Sequence, residues 1–185
     1  MRPSEQRLAA VRYQKGFEID ALLVEVCRGM AESGVRLGGL LQISEGGVGG
    51  CATSVKLYDL QTKTVFDIWE VRGPCARGCR LDESGLNAAA AVLERAISDR
   101  VELLVINRFG RAESLGRGLL PYFVRAMEAG IPVLTGVRTP YDDAWVRFHD
   151  GLGRELACDT ERVLGWATRV GHRLAFATCN DLRDH

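Results

Sequence analysis

Four donor side chains fall just where a run of aliphatic residues stops. The segment from Val101 to Gly118 reads VELLVINRFGRAESLGRG, with the buried-strand signature LLVI followed by Asn107, Arg108, Arg111 and Arg117. A guanidinium is a rigid fork of donors that stays charged near neutral pH, so several of them beside an amide suit an oxyanion. Lys15, which follows an earlier apolar run, and Arg80 in a later loop extend the same donor set. The ligand-binding candidates are therefore Lys15, Asn107, Arg108, Arg117 and Arg80. Asp20 and Glu113 are secondary candidates, because a carboxylate in a first helical turn either serves a site or complements the helix dipole. The competing reading of the arginines is a solvated surface loop. A strand that ends in Asn-Arg favours a site, since loops beyond buried strands carry binding residues more often than the strands do.

Six cysteines supply a second chemistry. Cys51, Cys75 and Cys79 sit in glycine-rich loops, where they could bind a soft metal, form a redox-sensitive pair or pack against the protein. The C-x-x-x-C spacing of CARGC has no second strong pair and is not a zinc signature. Cys27 lies on the apolar stripe of a helix, and Cys158 and Cys179 have no partnered spacing, so these three read as small core residues. Asp82 reads as a helix N-cap. The three histidines, His149, His172 and His185, are far apart, and no nucleophile motif accompanies them.

The elements that must position these groups alternate between strand and helix. RLAAVRYQ reads as a short strand, and Asp20 as the N-cap of a helix with Leu23, Val26, Cys27 and Met30 on one face. VRLGGLLQIS is a second buried strand, and SVKLYDL and VFDIWEV flank the turn QTKT as an antiparallel hairpin. A helix bearing Leu86, Ala89, Leu93 and Ile97 precedes LLVI, a helix is expected from about Glu113 to Glu128, and IPVLTGVR is one more strand. YDDAWVRFHDGL and TERVLGWATRV read as helices, and the last fifteen or so residues have no assignment. Continuous apolar strands separated by amphipathic helices define an α/β fold, three layers with a mostly parallel sheet, helices on both faces and an inserted antiparallel hairpin. A single domain over 1–185 is expected, with a helical C-terminal extension from about 142. Ligands of such sheets sit beyond the carboxyl ends of the strands, which gathers the loops at 15–20, 44–53, 107–117 and 138–143 into one rim.

Composition narrows the partners. Lysines plus arginines equal aspartates plus glutamates at 24 each, so no general attraction to nucleic acid is expected. No window approaches the roughly twenty apolar residues that cross a bilayer, and the start MRPSEQRLAA lacks a secretory signal, so a cytoplasmic protein without membrane insertion is expected. Trp145, Phe148, Trp166 and Phe176 read as packing of the last helices. A homo-oligomer is compatible with an exposed cluster there.

The order strand, helix, RLGGLLQ, LYDLQTKT hairpin, helix, LLVINRFGRAE, helix, AGIPVLTGV resembles the small nucleoside triphosphatases of the P-loop class. More closely, GCRLD, LLVINRFGRAE and GRGL followed by AGIPVLTGV resemble an uncharacterised bacterial family whose members are often encoded beside molybdate transport genes. The resemblance implies a P-loop-NTPase-like fold and a connection to molybdenum. A phosphate loop of that class needs G-x-x-x-x-G-K-[ST], its glycines wrapping phosphates, its lysine reaching the terminal ones and its hydroxyl binding magnesium. Here YQKGFEIDALL keeps Gly16, but Asp20 stands near the helix start where the lysine and hydroxyl belong, and Glu18 adds a second negative charge. The resembling hydrolases carry Asp-Glu where this chain has Asn107-Arg108, so the magnesium anchor is degenerate as well. The expected function is a noncatalytic accessory or sensor protein that binds a small anion, molybdate or another oxyanion, on a degenerate hydrolase scaffold. A divergent nucleotide-binding NTPase and a regulatory protein-interaction module are the alternatives.

Overall fold

The structure is a computed structural model that describes residues 6–45, 54–67, 69–70, 80–81 and 83–180, with side chains described over 6–43, 56–67 and 85–171. Strand β1 (Leu8–Tyr13) leads into helix α1 (Ile19–Glu32) and strand β2 (Leu37–Glu45). The hairpin β3 (Ser54–Asp59) and β4 (Val65–Asp67) follows, then the short β5 (Trp69–Glu70) and β6 (Arg80–Leu81). Helix α2 (Glu83–Ser98), strand β7 (Leu103–Phe109), helices α3 (Arg111–Ser114) and α4 (Leu120–Glu128), and strand β8 (Val133–Arg138) complete the middle of the chain. Helix α5 (Asp142–His149), strand β9 (Gly153–Leu156) and helix α6 (Thr160–Asn180) end it.

These strands form one seven-stranded sheet in the order β4-β3-β2-β7-β8-β1-β9, and β5 and β6 pair separately. The ladders from β2 through β9 are parallel, while β3 and β4 add antiparallel at one edge. The continuous apolar runs follow from this arrangement: Leu103, Leu104, Val105 and Ile106 are all fully buried because helices cover both faces of β7. Helices α1 and α6 contribute Leu23, Val26, Met30, Val163 and Trp166 to the core on one face. On the other, α2, α4 and α5 contribute Leu93, Phe123 and Trp145. The sheet is thus the middle of three layers, the architecture expected from the sequence, and the fold is P-loop-NTPase-like.

Neighbouring strands β1 and β8 send their connections in opposite directions, β1 through α1 to β2 and β8 through α5 to β9. That reversal opens a crevice between their carboxyl ends, the position where open α/β sheets bind ligands.

Three local expectations need correcting. The helix expected from Glu113 to Glu128 is two helices, because the chain turns at Gly116 and Gly118, both with positive φ. A Cβ at Gly118 would also meet the Glu113 carboxylate at 2.4 Å. The C-terminal segment is not wholly helical: GREL forms β9, which pairs in parallel with β1. Its burial pattern, two exposed residues between Gly153 and Leu156, lacks the alternation that marks a strand in sequence. Finally, α1 starts at Ile19 with Glu18 at the N-cap position, so Asp20 lies inside the first turn and does not cap the helix.

The hairpin turn shows how these loops are fixed. Buried Asp59 accepts from the Gln61 amide at 2.9 Å and from the Thr62 hydroxyl at 2.5 Å, and it pairs with Arg95 of α2. Burial alone would raise its pKa, but the hydrogen bonds from Thr62 and Gln61 and the Arg95 charge outweigh burial and lower it.

Candidate functional site

The carboxyl end of β7 leaves its ladder in an ordered way. Register with β8 shifts between Ile106 and Phe109, and a cis peptide joins Asn107 to Arg108. The hydroxyl of buried Thr135 fills the break, donating to the Ile106 carbonyl at 2.6 Å and accepting from the Phe109 amide at 3.1 Å. Phe109 then anchors the strand end against Trp145 and Phe123, with ring centroids 5.3 and 6.0 Å away. Such a bulge re-aims the side chains it carries. Here it turns Asn107 and Arg108 toward the start of α1.

Their target is Asp20. The Asn107 Nδ2 donates to Asp20 Oδ1 at 2.8 Å, and the Arg108 Nη2 donates to both carboxylate oxygens at 2.9 Å. The pair is sheltered, with side-chain exposures of 27% for Arg108 and 20% for Asp20, so solvent screens it less than an open surface pair. Tyr13 at the end of β1 closes the cluster, with the Arg108 guanidinium 5.8 Å from its ring centroid. Burial pushes the Tyr13 phenol up, against the opposing pull of Arg108 and Arg138.

This geometry revises the donor set. Asn107 and Arg108 are committed to Asp20, so the acid and the cation that the sequence sets in opposite roles neutralise each other. Glu113 is structural: its Oε2 accepts from the Gly110 amide at 2.9 Å and its Oε1 from the Leu119 amide at 3.0 Å, tying both ends of α3 together. Arg111 and Arg117 are exposed and make no ion pair with another described residue. They line a cavity of about 380 Å³ together with Asn107, Arg108 and a set of apolar side chains from β3, α2 and the loop after α3. Lys15 is exposed in the turn between β1 and α1 and does not line this cavity. Arg80 belongs to β6, but its side chain lies outside the described residues, as do Cys51, Cys75, Cys79 and Asp82. Arg111 lies outside the ligand set expected from the sequence, because helical spacing alone does not show that it lines the same cavity as Arg117.

These residues differ from the phosphate and magnesium ligands of the resembling hydrolases. The first turn of α1, where a lysine and a hydroxyl would meet phosphates, holds the Asp20 carboxylate, and the end of β7 supplies a guanidinium in place of an acid. The connection from β1 to α1 is also short, closing with the Phe17 amide on the Gln14 carbonyl at 3.1 Å. Among the described residues no three His, Cys, Asp or Glu side chains gather as metal ligands.

The remaining sequence candidates sort by burial. Cys27 is in the core as expected, and burial pushes its thiol up to about 12, with Lys63 pulling weakly the other way. Cys158 is a correction: it is exposed, its Sγ donating to the Arg12 carbonyl at 3.0 Å, because the turn before α6 faces outward. Native protein at pH 8 is expected to alkylate at Cys158 well before Cys27, read by peptide mass mapping. Equal rates would mean that the α1 face opens readily. His149 is buried, and its Nδ1 accepts from the Gly153 amide at 3.2 Å, which fixes the start of β9. Trp145 and Phe148 pack with Phe109 and Phe123, and Trp166 lies in the other core, in line with the expectation for these aromatics.

Sheet order and the rim at the carboxyl ends of its strands define a nucleoside-triphosphatase-like α/β protein. The chain belongs to the family described as protein of unknown function DUF2478, whose pattern matches residues 8–166. It is also 35% identical over 168 residues to the Molybdenum import ATP-binding protein ModC 2 of Bradyrhizobium diazoefficiens. That alignment covers 91% of this chain and 19% of the relative, so the chain spans a minor part of the protein it resembles. No solved structure gives a significant match. No helix among the described residues is long and apolar enough to cross a membrane.

Proposed function

We propose that this chain is a noncatalytic accessory or sensor domain that binds a small anion on a nucleoside-triphosphatase scaffold, in the service of molybdenum homeostasis. The observation that carries the reading is the Asp20 carboxylate held by Asn107 and Arg108 where a hydrolase would keep its phosphate and magnesium ligands. A triphosphate brought there meets a carboxylate, while Arg111 and Arg117 line the adjoining cavity with no ion pair to another described residue. These two arginines hold the anion, beside Asn107 and Arg108 that line the same cavity while bound to Asp20, and Lys15 adds an exposed positive charge in the turn between β1 and α1. The molybdenum connection rests on the relative named as a molybdenum import ATP-binding protein, in which a segment like this chain occupies only part of a longer polypeptide. The same relative's ATP-binding name supports a second reading, a divergent nucleotide-binding NTPase. A regulatory protein-interaction module is the remaining alternative.

Calorimetry with molybdate, tungstate, sulfate and phosphate at matched ionic strength tests the first reading. Saturable binding of at least one anion is expected, weakened about tenfold or more, or at least ~1.4 kcal/mol, in the Arg111→Ala, Arg117→Ala double variant. Absence of any binding below millimolar concentration, a threshold of about 4 kcal/mol, would overturn it in favour of the protein-interaction module.

A further inference from the structure

The cavity beside Arg111 and Arg117 has two chemically distinct sides. Leu57 of β3, Leu86 and Ala89 of α2, and Leu119 form an apolar wall. Asn107 and Arg108 at the end of β7, Arg111 of α3, Arg117 beyond it and Gln42 of β2 supply polar lining. At about 380 Å³ the cavity falls within the range of small-molecule sites. A single tetrahedral oxyanion would fill a small part of it and leave the apolar wall wet, losing the burial that such a wall favours. The apolar wall of the cavity lies on the α2 and α4 face of the sheet, opposite the face covered by α1, and Asn107 and Arg108 join the cavity to Asp20 in the first turn of α1.

A second observation bears on the ligand's polar groups. Asn107 is 4% exposed, its Nδ2 is spent on Asp20, and its Oδ1 is buried without a hydrogen-bond partner among the described residues. The Glu113 oxygens in the same lining are both engaged by backbone amides. An amide oxygen only accepts, so it asks for a donor, which a fully deprotonated oxyanion does not carry. A buried acceptor left unsatisfied costs about 1–3 kcal/mol, enough to favour a ligand or water that supplies the proton.

We propose that this cavity takes an organic anion, with an apolar body against Leu57, Leu86 and Leu119, an oxyanionic head at Arg111 and Arg117, and a hydroxyl or amide proton for Asn107. The inference rests on the anion-binding reading above and specifies its ligand class. A monoprotonated phosphate monoester and a hydroxylated organic acid share this chemistry.

The test compares phenyl phosphate, inorganic phosphate, molybdate and phenol by calorimetry at constant ionic strength and about pH 6, where roughly half of the ester keeps its second proton, on wild type, Leu86→Gln and the Arg111→Ala, Arg117→Ala double variant. Phenyl phosphate is expected to bind at least tenfold more tightly than inorganic phosphate, with phenol failing to saturate. Leu86→Gln should erase that advantage without weakening inorganic phosphate, and the arginine variant should weaken both anions. Leu119→Gln serves the same purpose if circular dichroism shows Leu86→Gln unfolded. Inorganic phosphate or molybdate binding as tightly as phenyl phosphate would overturn the organic-anion inference and leave the anion-binding function standing. Phenol binding as tightly as phenyl phosphate would overturn it too, as an apolar site without an anion requirement. No binding by any of the anions would sink the inference and the function together.

Discussion

Replacing Gly39 by alanine is expected to remove a large part of the protein's stability. Gly39 lies in β2 with φ +105, a backbone conformation L side chains rarely adopt, and it pairs in register with Val105 of β7. A Cβ there would stand 2.0 Å from the Val105 carbonyl oxygen, a backbone atom that no rotamer change moves aside. The strands must separate at the centre of the sheet or the residue must change its backbone, and either disturbs the Leu103, Leu104 and Ile106 packing on both faces. Conformational strain of about 1–3 kcal/mol and the steric term together place the loss at roughly 3–5 kcal/mol, large against a total stability of about 5–15. For a chain of this size that corresponds to a fall in Tm of about 10 °C or more. Gly151 is the control, since it also has positive φ, at +78, but a Cβ there meets nothing within 4 Å. Thermal unfolding of Gly39→Ala and Gly151→Ala side by side should show a small loss in the second and a severe one in the first. Equal losses would mean that the close approach of β2 and β7 does not matter.

The second large effect concerns the clamp at the rim. Asp20→Ala removes the shared acceptor and leaves the Asn107 amide and the Arg108 guanidinium without it in a sheltered position. Breaking a fully buried pair costs about 3–5 kcal/mol; the partial exposure here lowers the expectation to roughly 2–3. Arg108→Ala should cost less, about 1–2 kcal/mol, because Asp20 keeps the hydrogen bond from Asn107. The double variant should then fall short of the sum, with a coupling of about 1–2 kcal/mol in urea titrations of the four proteins. Additive losses would show that Asp20 and Arg108 act independently, and the clamp would lose its place in the account.

Much of the sheet was legible because its strands are apolar on both faces and its main helices have one apolar stripe. The rim was legible as a place, since the parallel topology brings the ends of β1, β7 and β8 together. Its pairing was not. Asp20 and Arg108 lie 88 residues apart in sequence, and nothing local tells a guanidinium that faces a ligand from one that faces a carboxylate. Glu113 shows the same limit at short range, because only the chain reversal at Gly116 and Gly118 brings the Leu119 amide back to it. β9 escaped for another reason: with four residues and two exposed neighbours in the middle, it carries no period to read. The close approach at Gly39 left a trace in the GG of RLGGLLQ, yet the sequence does not say which neighbour demands it.

Phosphate release from MgATP and MgGTP, followed with purified wild type and with Asp20→Ala and Asn107→Ala, tests most directly whether the hydrolase site has been converted. No turnover above an enzyme-free control is expected in any of the three proteins, because a clamped carboxylate stands at the start of α1 in wild type and neither variant restores the lysine, hydroxyl and acidic ligand that the chemistry needs. Clear turnover by wild type that disappears in either variant would contradict it and make the chain a divergent NTPase.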